Sequence, residues 1–462
     1  MTTSSLLTLL TRAAQVAADH RDTVGDRPVQ PVIDTARLTD AFDGPLPAAS
    51  TPAEEVVERL VSAARPGLMG TVGPRYFGFV TGGASPASTA ADMLAVGWDQ
   101  CAYSVALSPA AAAAERGAAR WLKGLLGIPA GASVGFVTGA QAANTVGLAA
   151  GRTKVLGDVG WDVARDGLAG APRVRVIASE ERHATIDRAL RLLGFGTAVV
   201  ESVRADGNGA IDVDALRDAL AKEHPAPTIV CLQLGNVNTG ACDDLVRAVP
   251  AAREHNAWVH VDGAFGLWAA ASPRLAPLAA GLEGADSWGT DAHKWLNVPY
   301  DSGLVFCADP DLHAATVSYS ASYLTGSGAT GDHVLGDLTT ESSRRARGFA
   351  VWAALLELGS DGVASLVDRC CDLAARMAGQ LESGGATIVN DVVLNQVLVG
   401  FGDPSRTDAV IERVQRDGTC WVGGTTWRGR RLMRVSVSNA TTTEHDIDVS
   451  AEAILRASAV PT

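Results

Sequence analysis

The run Asp291-Ala292-His293-Lys294-Trp295 lies downstream of an apolar stretch that closes in His260-Val261-Asp262-Gly263-Ala264. Lysine offers an amine that condenses with an aldehyde. An aspartate at a strand end can hold a pyridine nitrogen protonated, and a small alanine methyl can pack under a flat ring. In this order, these are the groups that holding pyridoxal phosphate (PLP) requires. Lys294 is also the only Lys or Arg between Arg274 and Arg344. An isolated lysine behind a buried-looking strand is a desolvated amine rather than one more surface charge.

Other residues could share the same chemistry. His183, in Glu180-Glu181-Arg182-His183-Ala184-Thr185, falls between a strand and a helix. It reads either as a solvated helix-start residue or as an imidazole stacked on a cofactor ring, opposite Ala264. Thr138-Gly139-Ala140-Gln141 joins a strand to a helix through small residues. That is a tight turn, or an anion site built from free N–H groups and the helix dipole, with His293 adding a second phosphate contact. Tyr76, Phe77, Phe79 and Trp98 could line an aromatic substrate pocket or simply fill the core. Arg434 could pair with a substrate carboxylate through its planar fork, or form an ion pair between lobes. The seven cysteines show no CxxC or paired-His spacing, so they read as core thiols and no metal is expected.

The elements that must position these residues are read from hydrophobic periodicity. Leu6, Leu9, Leu10, Ala13 and Val16 predict an amphipathic N-terminal helix, and residues 21–49 read as an extended connection. A helix over residues 52–64 is predicted to open with the capping box Thr51-Pro52-Ala53-Glu54. Strand-like runs follow at 133–138, 174–178, 198–203, 228–232, 258–262, 285–290 and 303–307, with helical stretches between most of them. Such alternation predicts an α/β fold with a mostly parallel seven-stranded sheet, whose ligands sit at the carboxyl ends of the strands. Gly139, Asp262 and Asp291 fall there. The expected division is an N-terminal arm (1–70), a large cofactor-binding domain (71–345) with a mobile loop near 324–340, and a small C-terminal α+β domain (346–462).

The net charge of −13, from 38 Lys plus Arg against 51 Asp plus Glu, argues against nucleic acid or an anionic membrane as partner. No Lys or Arg precedes the first apolar run, and no uncharged apolar stretch reaches the ~20 residues of a membrane span, so a cytoplasmic protein is expected.

Taken together, Pro74–Phe79 (PRYFGF), Trp98-Asp99-Gln100, Leu107-Ser108-Pro109, His183, His260–Ala264 and the stretch DAHKWLNVPYD from Asp291 to Asp301 resemble the group II PLP-dependent amino acid decarboxylases. That family includes the aromatic amino acid, glutamate and histidine decarboxylases. The resemblance implies the aspartate-aminotransferase-like architecture (PLP fold type I). It implies Lys294 as the Schiff-base lysine, Asp262 on the ring nitrogen and His183 on the ring face. Gly139, Ala140, Gln141 and His293 would surround the phosphate, with Asp291 nearby where many relatives have Asn. It further implies an intertwined homodimer with active sites at the interface. The expected reaction is decarboxylation of an L-amino acid through a quinonoid intermediate.

Two departures bear on the outcome. Relatives often carry Gly-Thr-Thr where this chain has Gly235-Asn236-Val237-Asn238-Thr239-Gly240. Their mobile loop has a tyrosine that protonates the substrate carbon, whereas residues 326–338 here contain none, leaving His333 as the candidate acid. The alternative is therefore decarboxylation-dependent oxidative deamination, with O2 as cosubstrate and an aldehyde as product. An aminotransferase or β-lyase is a more distant reading. A catalytically silent dimerisation partner is the non-enzyme alternative, against which intact Lys294, Asp262 and His293 speak.

Overall fold

A computed structural model describes residues 5–222, 226–319 and 334–460. The seven apolar runs form one sheet: β1 (Ser133–Val137), β2 (Arg175–Ser179), β3 (Val200–Val203), β4 (Thr228–Gln233), β5 (Trp258–Asp262), β6 (Ser287–Asp291) and β7 (Gly303–Cys307). Their spatial order is β1-β7-β6-β5-β4-β2-β3. Strand β2 runs parallel to β3 and β4, β4 to β5, and β5 to β6, while β7 is antiparallel to both β1 and β6. The expected mostly parallel sheet is thus present, with one reversed strand.

Strands β2, β4, β5, β6 and β7 are buried at every residue. This explains why their sequences read as continuous apolar runs: a parallel sheet covered on both faces has no polar side to alternate with. The Ala140–Gly157 helix supplies part of that cover, packing Leu148, Ala150, Val155 and Leu156 with Val176, Ala178, Ile229 and Cys231 of β2 and β4. The edge strand β3 keeps three of its four residues partly or fully exposed.

The chain divides into two compact units. One comprises residues 82–374 with 390–396 and contains the seven-stranded sheet; the other comprises 1–81, 375–389 and 397–462. The second unit holds most of a four-stranded sheet in the order β10-β11-β9-β8, formed by β8 (Thr387–Ile388), β9 (Gln396–Gly400), β10 (Gly423–Trp427) and β11 (Arg430–Ser436). It also holds the Leu6–Thr23 and Ala53–Ala64 helices near the N-terminus.

Several local expectations are corrected. Residues 21–49 are not wholly extended, because Asp34 accepts the amide of Ala36 and caps a helix, Thr35–Phe42. The predicted capping box does not form: Pro52, not Thr51, takes the cap position, and it has no side chain to bond with. Most of the loop predicted near 324–340, His333 included, lies outside the described residues. Its last part is a packed turn, Leu335–Leu338, tied down by the Gly336 amide donating to the Tyr103 carbonyl at 2.9 Å. The Gly348–Ser383 helix is long and apolar enough, by length and composition, to cross a bilayer. It breaks at Gly359 (φ +62°), however, and Val363, Leu366, Val367, Cys370 and Ala374 are buried within the protein. The cysteines are free; Cys101 and Cys242 are partly exposed and the other five buried.

Candidate active site

The carboxyl ends of β1, β2, β5 and β6 gather the residues singled out in sequence. The segment between β6 and β7 presents Lys294. Trp295 and Leu296 are fully buried and anchor it, and Asn297 closes the turn in the left-handed conformation (φ +55°) that asparagine tolerates better than most residues. The Asn297 amide donates to the Trp295 carbonyl at 3.0 Å, while its oxygen accepts the Gly83 amide at 2.6 Å. Lys294 itself is largely but not fully covered, with 18% of its side chain exposed. Its Nζ lies 2.9 Å from Asp291 Oδ2 and 6.0 Å from the centre of the Phe265 ring.

Asp291, at the end of β6, joins three parts of the site. Its Oδ1 accepts the Ala140 amide at 2.5 Å and lies 3.4 Å from His293 Nε2. It thereby acts on the first turn of the Ala140–Gly157 helix, where negative charge is favoured. The Ser302 amide donates to His293 Nδ1 at 3.1 Å. Burial holds the His293 pKa below its ordinary value despite Asp291, so the ring is neutral and its proton sits on Nε2, facing the helix terminus. A Cβ on Gly139 would lie 3.1 Å from both Asp291 Oδ1 and His293 Cε1, and one on Gly303 would lie 2.4 Å from the Gly139 Cα. Gly303 needs glycine for space, since the clash is with backbone, while a methyl on Gly139 would crowd both side chains.

Asp262 ends β5 and is 3% exposed. Its Oδ1 accepts the Ala264 amide at 3.2 Å, and the Ala264 carbonyl accepts the Asp291 amide at 2.9 Å, which couples the ends of β5 and β6. Burial raises the Asp262 pKa; the nearby His183 and Lys294 charges, the Ala264 amide and the Asn144 amide oppose that rise. His183 caps the Ala184–Leu192 helix, its Nδ1 accepting the Thr185 amide at 3.3 Å, and its own amide donates to Gln233 Oε1 at 3.2 Å. Gln141 donates to the Thr185 carbonyl at 3.3 Å. Lys294, Asp262, Ala264, His183, Gly139, Ala140, Gln141, His293 and Asp291 thus form one constellation.

Tyr76, Phe77 and Phe79 belong to the second unit. There Tyr76 stacks on Trp421 at 5.0 Å between centroids, Phe79 at 5.5 Å, and Phe77 is buried. Arg434 lies in β11 of the same unit, partly buried, and burial lowers its pKa. Trp98 ends the Pro86–Trp98 helix and meets Phe349 edge-on. Sequence reasoning missed Asn144, Thr185 and Gln233. Asn144 follows Ala140 by one helical turn, and that periodicity is the signal that could have found it.

Residues 37–401 match the model of the pyridoxal-dependent decarboxylase conserved domain. The chain belongs to the pyridoxal-dependent decarboxylase family. It is a PLP-dependent carboxy-lyase, as the sequence led one to expect. The chain is 27% identical to tryptophan decarboxylase 1 of Oryza sativa subsp. japonica, over 95% of this chain and 90% of that protein. It is 24% identical to 4-hydroxyphenylacetaldehyde synthase of Rhodiola rosea, over 96% and 93% respectively. The crystal structure of Oryza sativa TDC with PLP and tryptamine superposes with a TM-score of 0.90 at 23% identity, covering 98% of this chain and 97% of that one, which shows the fold.

The residues present fit that cofactor. A buried carboxylate (Asp262), an anion-favouring helix terminus lined by Gly139 and a neutral imidazole donor (His293), and a lysine amine between them are complementary to a pyridine N–H, a phosphate and an aldehyde.

Proposed function

We propose that this enzyme decarboxylates an L-amino acid, with Lys294 as the amine that carries the cofactor covalently. One observation supports this above all: Asp262 is buried, and the two positive groups that offset its burial are His183 and Lys294. Asp262 would hold the ring nitrogen protonated, His183 would face the ring, and Ala264 would pack on its other side. The Ala140 amide and His293 Nε2–H would hold the phosphate with Gly139 and Gln141. When bound, the cofactor supplies an electron sink for the pair left at Cα as CO2 departs. Asp262 sustains that sink by keeping its anionic charge at the ring nitrogen. Lys294 would hold the cofactor covalently, with its Nζ beside the Asp291 carboxylate, 2.9 Å from Oδ2.

The test is retention of PLP after borohydride reduction and denaturation. Wild type keeps the label on the peptide containing Lys294 and Lys294→Ala keeps none; a label on another lysine rejects the assignment.

A second reading concerns the product. Residues 326–338 carry no tyrosine and offer His333 as an acid, and two relatives are by name aldehyde synthases. The oxidative outcome would consume the amino acid, O2 and water and give the aldehyde, CO2, ammonia and peroxide. We favour protonation by His333 and hence the amine. Product analysis with a panel of amino acids, in air and without it, decides: peroxide formed mole for mole with aldehyde overturns the amine reading. Action as a homodimer in the cytoplasm is part of the same proposal, and light scattering at enzymatic concentrations tests the dimer.

A further inference from the structure

From Asp262 runs a file of buried polar groups to which the reaction as described gives no task. The Trp258 indole Nε1 is 3.1 Å from Ser287 Oγ, which is 2.8 Å from His260 Nδ1. His260 Nε2 is 3.0 Å from Asn144 Oδ1, and Asn144 Nδ2 is 3.2 Å from Thr185 Oγ1. Thr185 Oγ1 stands 3.5 Å from Asp262 Oδ2, and the nearby Asn144 amide favours the charged form of the Asp262 carboxylate. Asn144, His260 and Ser287 have no solvent exposure, and Trp258 is 5% exposed.

The proton positions along this file follow from donor chemistry and from the burial that keeps the imidazole neutral. An indole N–H can only donate, so it donates to Ser287 Oγ. Among the described residues, Ser287 Oγ has no other side-chain partner than Trp258 and His260, so its own proton goes to His260 Nδ1. The imidazole, neutral in this dry setting, therefore carries its proton on Nε2 and donates to Asn144 Oδ1. With its oxygen engaged, Asn144 must turn its NH2 group toward Thr185 and Asp262. Reversing that amide would set its NH2 against the His260 Nε2–H, donor against donor.

Space for the file has been kept open. A Cβ on Gly147 would lie 2.6 Å from His260 Nδ1 and 3.1 Å from Ser287 Oγ, and one on Gly289 would lie 2.7 Å from Asn144 Oδ1. Both glycines have ordinary backbone angles, since neither is among those with positive φ. Room for the polar file is then the reason for glycine at each.

We propose that Trp258, Ser287, His260 and Asn144 form a one-way hydrogen-bond relay that points the Asn144 amide at Asp262 and keeps that carboxylate anionic and correctly turned for a ring N–H. These are positioning residues that act through Asp262. Each bond is strengthened by its neighbours in the low-dielectric interior, and the last one falls on a charge.

The inference rests on the reading of Asp262 as the ring-nitrogen partner, and its test separates the two. Cofactor-free protein is titrated with PLP and with 1-deazapyridoxal phosphate, in which a C–H replaces the ring nitrogen, and the ratio of the two affinities is taken. Wild type prefers PLP, and Asp262→Asn abolishes the preference. If Asp262→Asn keeps it, the reading of Asp262 fails, and the relay with it. Asn144→Leu and His260→Phe are expected to cut the preference about tenfold while leaving the deaza affinity within about twofold. If Asp262→Asn loses the preference but both relay variants keep the wild-type ratio, the relay is overturned. Should either relay variant fail to fold, Ser287→Ala, which removes a single oxygen, decides on the same ratio: a fall supports the relay and an unchanged ratio rejects it.

Discussion

The Asp291 carboxylate accepts the Ala140 amide at 2.5 Å, so an acidic side chain already uses one of the free N–H groups at the start of the Ala140–Gly157 helix. Its other oxygen meets Lys294 Nζ at 2.9 Å. A phosphate brought to the same helix end must share that donor and approach a like charge. Asp291→Asn keeps an oxygen for the amide and removes the charge. Its affinity for PLP should rise about three- to tenfold, followed by fluorescence titration, because repulsion across a partly buried contact is relieved. Equal or weaker binding would show that the phosphate does not come near Asp291.

Gly303 and Gly139 are back to back, and a methyl on Gly303 would sit 2.4 Å from the Gly139 Cα. Backbone cannot swing aside as a side chain can. Gly303→Ala is therefore expected to push β7 away from the helix start, costing about 2–4 kcal/mol by overpacking. It should weaken cofactor binding at least tenfold while the far-UV spectrum stays wild-type. A variant with normal binding would mean that the Gly139 turn is not part of the phosphate site.

The sheet and the site constellation were readable in the chain for different reasons. Buried parallel strands must be apolar throughout, so β2, β4, β5 and β7 announced themselves as short hydrophobic runs. Lys294 stood out because it is isolated from other basic residues. Thr35–Phe42 was hidden because its start rests on Asp34, set in a stretch whose prolines and glycine read as coil. Asn144 and Ser287 were hidden because each is one of several polar residues in its element, beside Gln141 and Thr145 or Thr290 and Asp291, and their task appears only when helix and strand are laid together. His260 was quoted as part of a motif without a task, since its partners lie 116 and 27 residues away. The link between the capping turn at His183 and the end of β4 through Gln233 is likewise a tertiary fact.

His260 also makes a prediction about pH. Burial lowers its pKa to about 3, against an ordinary value of 6.5. Between those values the unfolded chain binds a proton at this position that the folded chain refuses. Its contribution to stability is complete above 6.5 and is lost as pH falls toward 3. Urea melts of wild type and His260→Phe across that window check this. The variant is less stable at neutral pH, having lost two buried hydrogen bonds, but the gap should narrow as the medium is acidified. A constant gap would mean that His260 titrates normally.

Glu115 and Arg344 form an ion pair with 2% of each side chain exposed, at 2.7 and 2.8 Å through both carboxylate oxygens. The pair ties the Pro109–Leu125 helix to the segment that leads from the Leu335–Leu338 turn into the Gly348–Ser383 helix. Arg344→Met strands a buried carboxylate and should cost about 3–5 kcal/mol, visible as a lowered denaturation midpoint. Burial raises the Glu115 pKa and Arg344 opposes that rise, so removing the arginine removes the opposition. Stranded, Glu115 binds a proton more readily in the folded chain than in the unfolded one, and the variant should lose stability as pH rises above the ordinary carboxylate range. Glu115→Leu combined with Arg344→Met deletes both charges and should recover most of the loss, since two apolar side chains fill similar volume without a desolvation cost. If the double variant is as unstable as Arg344→Met alone, the pair contributes through packing geometry that leucine and methionine do not reproduce, and not through the balance of charge against burial.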